Sequence, residues 1–129
     1  MAAETQVILV DTSVWVEHLQ VGSGQLTALL GGGEVLGHPF VFGELALGNL
    51  HGRDAFLGDL HNLPQAVVAS DEEVLRLINR QMLFGRGVGY VDAHLLAAAR
   101  LTAGTTLWTR DRRLQEVAAQ LGLGTAWSH

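Results

Sequence analysis

The segment QVILV at residues 6–10 constrains the fold more strongly than any other part of the sequence. It is short, rich in β-branched residues and apolar on both faces, a pattern typical of a strand that is covered on both sides. Such strands belong to parallel sheets whose faces are packed against helices. The chain is therefore predicted to be an α/β protein with this segment as a buried strand.

Strand-like and helix-like segments alternate along the rest of the chain. Further strands are predicted at 34–37, 65–69 and 105–109, with an edge strand in GTAW at 124–127. Helices are predicted at about 13–20, 25–30, 40–48, 53–60, 70–83, 92–102 and 112–121. This order predicts a three-layer sandwich, in which a central, mainly parallel sheet of four or five strands is flanked by helices. Residues 1–129 are predicted to form one domain.

The composition excludes several kinds of site. The chain has no cysteine, which rules out disulfides, thiolate zinc sites and cysteine nucleophiles. Its formal net charge is −5 and all eight basic residues are arginine, so it is a poor general binder of nucleic-acid backbones. The N-terminus does not resemble a signal peptide, and no apolar stretch is long enough to span a bilayer. A cytoplasmic protein is expected.

Glu44 is the acidic residue that is hardest to explain as part of a solvated surface. In the predicted helix at 40–48, it shares a face with Phe40, Val41 and Leu47. We therefore expect Glu44 to lie on a buried apolar stripe. A carboxylate is costly there unless it is paired, hydrogen-bonded or bound to a metal.

Three aspartates fall where strands end or helices begin. Asp11 and Asp111 come just after predicted strands, and Asp92 heads the apolar stripe of the helix at 92–102. Each of them is also a suitable helix cap or turn residue. The alternative is a shared site, because the carboxyl ends of parallel strands meet at one edge of a sheet. Asp11 and Asp111 would meet at that edge, and Asp92 and Glu44 would reach it from flanking helices.

Four carboxylates gathered in one place repel one another, and each raises the pKa of its neighbours. A divalent cation resolves that conflict. The ligands would all be oxygen atoms, from Asp11, Glu44, Asp92 and Asp111, and oxygen ligands favour Mg²⁺ or Mn²⁺ over zinc.

Hydroxyl groups stand beside two of these aspartates. Ser13 is two residues after Asp11 and is the better candidate for the site, whereas Thr12 is expected to cap the following helix. Thr109 and Asp111 are two apart, so an extended backbone points both side chains the same way.

Neither the histidines nor the glycine-rich segment forms a recognisable motif of its own. No pair of the six histidines has the spacing of metal ligands on a helix, and His94 is predicted to be structural or to lie at the rim. The segment FGRGVG at 84–89 lacks the context of a phosphate-binding loop, and it is predicted to be a flexible loop that bounds the site.

Four short motifs, in this order, resemble those of the PIN-domain nucleases, in particular the VapC toxins of VapBC toxin–antitoxin modules. They are VDTSVW with Asp11, GELALG with Glu44, GYVDAHLLAAA with Asp92, and LWTRDRRL with Thr109 and Asp111. Together they span nearly the whole chain. The resemblance implies that the sandwich is PIN-like.

The resemblance also implies an activity, namely that of a Mg²⁺- or Mn²⁺-dependent endoribonuclease that acts as the toxin of a type II toxin–antitoxin system. Its implied partners are an RNA substrate, a VapB-like antitoxin and a second copy of the chain in a homodimer. The implied catalytic residues are four acids that bind one or two ions and two hydroxyls that orient the carboxylates or the attacking water: Asp11, Glu44, Asp92, Asp111, Ser13 and Thr109.

Two features leave alternatives open. Arg112 and Arg113 stand where many relatives carry a further acid, so a second metal is not implied, and these arginines either contact RNA phosphates or begin a solvated helix. Trp15 and Leu19 either line an antitoxin groove or belong to the core.

Two other functions compete with a nuclease. One is a non-catalytic PIN-like module that binds RNA or protein. The other is a haloacid-dehalogenase-like phosphatase, whose first strand also ends in aspartate. That enzyme needs a second aspartate two residues later, where this chain has Ser13.

Overall fold

Short strands alternate with helices through residues 6–125, the part of the chain that the computed structural model describes. The strands are β1 (Val7–Val10), β2 (Val35–Leu36) and β3 (Thr105–Trp108). The helices are α1 (Thr12–Val21), α2 (Gly24–Gly31), α3 (Pro39–Ala46), α4 (Arg53–His61), α5 (Asp71–Arg80), α6 (Tyr90–Leu101) and α7 (Arg112–Gln120). The predicted α/β alternation is confirmed, and each predicted helix is present with ends that differ by a few residues.

The sheet is parallel, and β1 lies at its centre. The strand order is β2-β1-β3, with Ile8 opposite Val35 on one side and Val10 opposite Trp108 on the other. Leu9 and Val10 are completely buried, as expected of a strand that is apolar on both faces. The predicted role of the QVILV segment is confirmed.

The prediction of four or five strands is wrong for the described residues, which form a sheet of three. The segment at 65–69 makes one parallel bridge, in which Gly37 N donates to Pro64 O and Ala66 N donates to Gly37 O. Its Val67 and Val68 are exposed, and Val67 N donates to the Thr102 side chain and not to a strand. A run of apolar residues therefore predicted a strand that the backbone does not continue.

The predicted last strand is also reduced to a single bridge. Gly124 pairs with Leu107 of β3, and Leu107 N donates to Leu123 O at 2.7 Å. The rest of GTAW, residues 126–127, lies outside the described residues.

Helix α6 is the most deeply buried helix, and it connects the sheet to α5. Residues 93–99 are all buried, so this helix packs on more than one side. Helix α5 begins with the predicted capping box, in which Ser70 Oγ accepts from Glu73 N and Glu73 Oε1 accepts from Ser70 N. No helix within residues 6–125 has the length and apolarity needed to cross a membrane.

The central position of β1 gives a stability prediction. Leu9→Ala is expected to lower the free energy of unfolding by about 2–5 kcal/mol, because it removes packed methyl groups and leaves a cavity. Leu75→Ala, at a side chain of α5 that is 52% exposed, is expected to change it by less than about 0.5 kcal/mol. Urea unfolding followed by circular dichroism measures both, and equal losses would contradict a core built around β1.

Candidate metal centre at the sheet edge

Asp11 lies at the carboxyl end of β1 and accepts two hydroxyl hydrogen bonds on one oxygen. Ser13 Oγ donates to Asp11 Oδ2 at 2.7 Å, and Thr109 Oγ1 donates to the same atom at 2.8 Å. The two hydroxyl oxygens are 3.3 Å apart. Asp11 is 7% exposed and Thr109 is fully buried. No donor among residues 6–125 reaches Asp11 Oδ1, so that oxygen remains available to a ligand.

The helix-cap explanation of Asp11 does not hold. Asp11 occupies the N-cap position of α1, but its side chain makes no capping hydrogen bond. Its carboxylate is used by Ser13 and Thr109 instead. The contact with Ser13 also removes the phosphatase alternative, because a hydroxyl that donates to this aspartate occupies the position of the second aspartate that such enzymes need.

Asp111 does serve as a helix cap, and it is also tied to Thr109. Its Oδ1 accepts from Arg113 N at 2.9 Å and from Leu114 N at 3.2 Å, which caps α7. Its own N–H donates to Thr109 Oγ1 at 3.1 Å. The helix-cap role of Asp111 is therefore confirmed, and its site role stays a prediction that the second oxygen of the carboxylate leaves possible.

The predicted burial of Glu44 is wrong. Glu44 is exposed, as is Leu47 at 90%, and the residues of α3 that face the core are Val41 and Leu45. Helix α3 is apolar around most of its circumference, so its apolar residues do not mark the buried side.

Glu44 nevertheless contacts the start of α1. The contact is made by Thr12, which was predicted to cap the helix and not to belong to the site. Thr12 Oγ1 donates to Glu44 Oε1 at 2.6 Å, which joins α3 to the residue that follows Asp11. Thr12 was expected to cap α1, but it is the first residue of that helix. The only indication in the sequence that Thr12 could lie at the site was that it follows Asp11. That position is equally suitable for a residue that caps the helix.

The pKa of Asp92 is affected by the charges of the other three predicted acids. Asp92 lies in the first turn of α6, half-buried, with Oδ2 accepting from Gly89 N at 3.0 Å. Burial raises the pKa of its carboxyl, and the charges of Asp11, Asp111 and Glu44 raise that pKa further, while the Gly89 hydrogen bond lowers it. The four predicted acids therefore share one electrostatic environment.

The donor set suits a hard divalent cation. Within residues 6–125, no three acidic or histidine side chains lie close enough together to hold an ion as they stand. Two charges repel each other over a longer distance than a metal–ligand bond spans. Acids that lie too far apart to hold an ion together can therefore still raise the pKa of Asp92. Mg²⁺ keeps several waters and often needs only one or two carboxylates. The chemistry of the donors, which are all oxygen atoms, therefore suits such an ion.

His94 lies on the opposite side of α6 and does not join the acids. It is buried, and its Nε2 is 3.2 Å from Asp71 Oδ1, which also accepts from Tyr90 OH at 2.7 Å. These contacts fasten the start of α6 to the start of α5. His94 is therefore structural, which is one of the two roles predicted for it.

The raised pKa of Asp92 gives a stability prediction for the metal-free protein. An acid whose pKa is higher in the folded state stabilises the fold at low pH and loses that contribution as the pH rises. Asp92→Asn removes the charge and keeps an acceptor oxygen for Gly89 N. We expect the variant to have a higher Tm than wild type at neutral pH in EDTA, with a difference that shrinks as the pH falls through the raised pKa.

Asp54→Asn is the matched control, because the Asp54 side chain is 98% exposed and its ion pair with Arg53 lies at the surface. Titration with Mn²⁺ should then raise the Tm of wild type more than that of Asp92→Asn. A lower Tm for metal-free Asp92→Asn at neutral pH would contradict the repulsion.

Comparison with known proteins agrees with the resemblance of the motifs. A family model described as the PIN domain matches residues 8–120, a range that contains all six site residues. Two relatives named ribonuclease VapC32, from Mycobacterium tuberculosis strains CDC 1551 / Oshkosh and ATCC 25618 / H37Rv, are each 50% identical over 119 residues. The alignment covers 92% of this chain and 96% of theirs. The chain belongs to the PIN-domain family and, within it, to the VapC proteins.

Proposed function

We propose that the chain is an endoribonuclease, the toxin of a type II toxin–antitoxin system, that hydrolyses RNA phosphodiester bonds. The observation that carries the proposal is the action of three other acids on the half-buried Asp92. A set of carboxylates that repel one another at the edge of a parallel sheet suits a divalent cation. The names of the VapC32 relatives support RNA as the substrate.

The residues that would hold Mg²⁺ or Mn²⁺ are the four acids, Asp11, Glu44, Asp92 and Asp111. When bound, such an ion supplies a Lewis acid that makes water nucleophilic and offsets the negative charge that develops at phosphorus. Whether one or two ions bind is open, because Arg112 and Arg113 replace the additional acid of many relatives.

The hydroxyl residues orient the carboxylates. Ser13 and Thr109 hold Asp11 through Oδ2 and leave Oδ1 for a ligand. Thr12 holds Glu44 through Oε1 in the same way. Groups fixed in advance need no reorganisation during the reaction, which is where enzymes gain much of their electrostatic stabilisation. Water forms the new bond to phosphorus, the bond between phosphorus and the 3′-oxygen breaks, and the 3′-oxygen takes up a proton, so the products are a 5′-phosphate and a 3′-hydroxyl. The RNA 2′-hydroxyl takes no part.

Asp11→Asn tests the activity directly. Because it removes the charge that two hydroxyls hold in place, we expect the cleavage rate to fall by about 10²–10³ or more. Cleavage of labelled RNA in Mn²⁺ measures this, with EDTA as a second control and Asp54→Asn as a matched acid-to-amide control. Circular dichroism should show that both variants are folded.

Two outcomes would contradict the proposed mechanism. Asp11→Asn that cuts RNA as well as wild type does would remove Asp11 from the reaction. Products with a 2′,3′-cyclic phosphate would mean that the RNA 2′-hydroxyl is the nucleophile. Wild type that neither cuts RNA nor binds a divalent ion would favour the alternative of a non-catalytic PIN-like module.

We further propose that a VapB-like antitoxin docks in a cleft of about 230 Å³ beside α1. The cleft is lined by residues of α1, α2, α4 and the chain after α4, among them Trp15, Leu30, Phe56 and Leu63. Trp15 is 3% exposed and packs edge-on against Phe56, so it is part of the core as well as the wall of the cleft. Its Nε1 is buried and has no hydrogen-bond partner among residues 6–125, so a partner would contact the side chains that line the cleft and not this donor.

Leu19→Glu tests this docking. Leu19 is 39% exposed and lies one turn along α1 from Trp15, so a charge there should spare the fold but disfavour an apolar partner. We expect at least a tenfold loss of affinity (about 1.4 kcal/mol) for a purified VapB-like antitoxin, measured by calorimetry. Leu101→Glu, at the end of α6 and 44% exposed, is the control. Equal affinity of both variants would rule out the α1 cleft.

We also propose that the chain forms a homodimer and that it is located in the cytoplasm. Exposed apolar side chains away from α1, such as Leu47 and Phe84, provide surface that a second copy can cover. Light scattering of the isolated chain gives its mass in solution. The cytoplasm is where RNA and a coexpressed antitoxin would be available.

A further inference from the structure

Arg113 packs directly against the backbone of the glycine-rich loop. A Cβ added at Gly87 would be 2.7 Å from both Cδ and Nη1 of Arg113 and 3.1 Å from its Nε. A side chain at residue 87 would therefore displace the end of the Arg113 side chain from its present position. The contact joins the first turn of α7 to the loop at 84–89.

This contact lies between the two segments that carry Asp92 and Asp111. The backbone N–H of Arg113 donates to Asp111 Oδ1 at 2.9 Å. Two residues after Gly87, the N–H of Gly89 donates to Asp92 Oδ2 at 3.0 Å. The arginine side chain is thus held at the edge of the acidic site and not on a distant surface.

The charge of Arg113 is not neutralised within the described part of the chain. None of the carboxylates in residues 6–125 forms an ion pair with it, whereas the nearby Arg110 pairs with Glu17 at 2.8 Å. The charges that act on Asp92 are those of acids. Arg113 is also exposed, so its guanidinium donors remain available to a ligand from solution.

We propose that the Arg113 guanidinium, held in place by Gly87, binds a backbone phosphate of the RNA that reaches the acidic site. Guanidinium groups bind phosphate oxygens in pairs, and a side chain that is already held loses less entropy on binding. A polyanion that approaches four carboxylates needs a cation at their edge, and the chain as a whole carries a charge of −5. This inference rests on the proposed function only in that RNA is the ligand.

Binding measurements separate this role from catalysis. In the Asp11→Asn background, the affinity for a short, labelled, single-stranded RNA is measured by fluorescence anisotropy at several salt concentrations. We expect Arg113→Ala to raise Kd about tenfold, the loss of one charged hydrogen bond. The slope of log K against log salt should decrease in magnitude by about 0.7, the loss of one phosphate contact.

Arg112→Ala removes the same charge one residue away, from a side chain that the loop does not hold. We expect it to raise Kd by no more than about twofold, because an exposed and unheld charge contributes little. Equal losses in the two variants, or no loss in Arg113→Ala, would overturn the proposal.

Two glycine variants test whether Gly87 holds the arginine. Gly87 and Gly85 both have left-handed backbone angles, φ +79° and +73°, so alanine is strained at both. A Cβ at Gly85 meets nothing within 4 Å, whereas at Gly87 it collides with Arg113. We expect Gly87→Ala to weaken RNA binding, by less than Arg113→Ala does because the displaced arginine keeps its charge, and to cause no further loss in the double variant. Equal weakening by Gly85→Ala would assign the effect to backbone strain and overturn the role of Gly87.

The outcomes also separate this proposal from the ribonuclease proposal. Wild type that binds RNA through Arg113 without cutting it would contradict the nuclease activity alone. Wild type that cuts RNA while Arg113→Ala binds normally would contradict the phosphate site alone. No RNA binding by any form of the protein would contradict both.

Discussion

The parallel pairing of β1 with β3 determines where every other group of the site lies. Val10 stands opposite Trp108, and the ladder continues one step further as Asp11 N donates to Trp108 O at 2.9 Å. Asp11 and Thr109 therefore leave the sheet side by side, and Thr109 can donate to Asp11 at 2.8 Å. A shift of β3 by one residue against β1 would turn the side chain of Thr109 to the other face of the sheet, away from Asp11.

The carboxylates that are proposed to bind a metal also repel one another, which lowers the stability of the folded protein. Asp92 is half-buried and feels the charges of three neighbouring acids, and both effects raise its pKa. The surrounding structure tolerates this because Gly89 N and the hydroxyls of Ser13, Thr109 and Thr12 each donate to a carboxylate. These donors reduce the cost of the charges without cancelling them. The proposed cation would stabilise the folded protein by an amount that is set by its affinity and its concentration.

Much of the architecture was predictable, because it depends on local patterns. The double-sided apolar character of β1 and the capping box of α5 act within a few residues, and both are present as predicted. The segment at 65–69 has the same apolar character as a strand, but strand formation depends on a partner that local sequence does not reveal. Its valines remain exposed because no neighbouring strand continues past Gln65.

That the four predicted acids lie near one another could be predicted from the sequence, but their contacts could not. The aspartates fall at strand and helix ends, which topology brings together at one edge. Glu44 was included through an apolar stripe that does not exist, since α3 faces the core with Val41 and Leu45. The bond from Thr12 to Glu44 spans 32 positions in the chain, and the packing of Arg113 on Gly87 is equally remote. Contacts of this kind depend on how helices dock, which periodicity does not determine.

Helix α1 is about 15 Å long, and its first turn and its outward face have different roles. Its first turn supplies Thr12 and Ser13 to the carboxylates, and its outward face presents Val16 and Leu19 to solvent. The buried side chains of Val14 and Trp15 pack into the core and fix the position of the helix. Residues on the outward face can therefore diverge during evolution without disturbing the hydrogen bonds that Thr12 and Ser13 donate at the first turn.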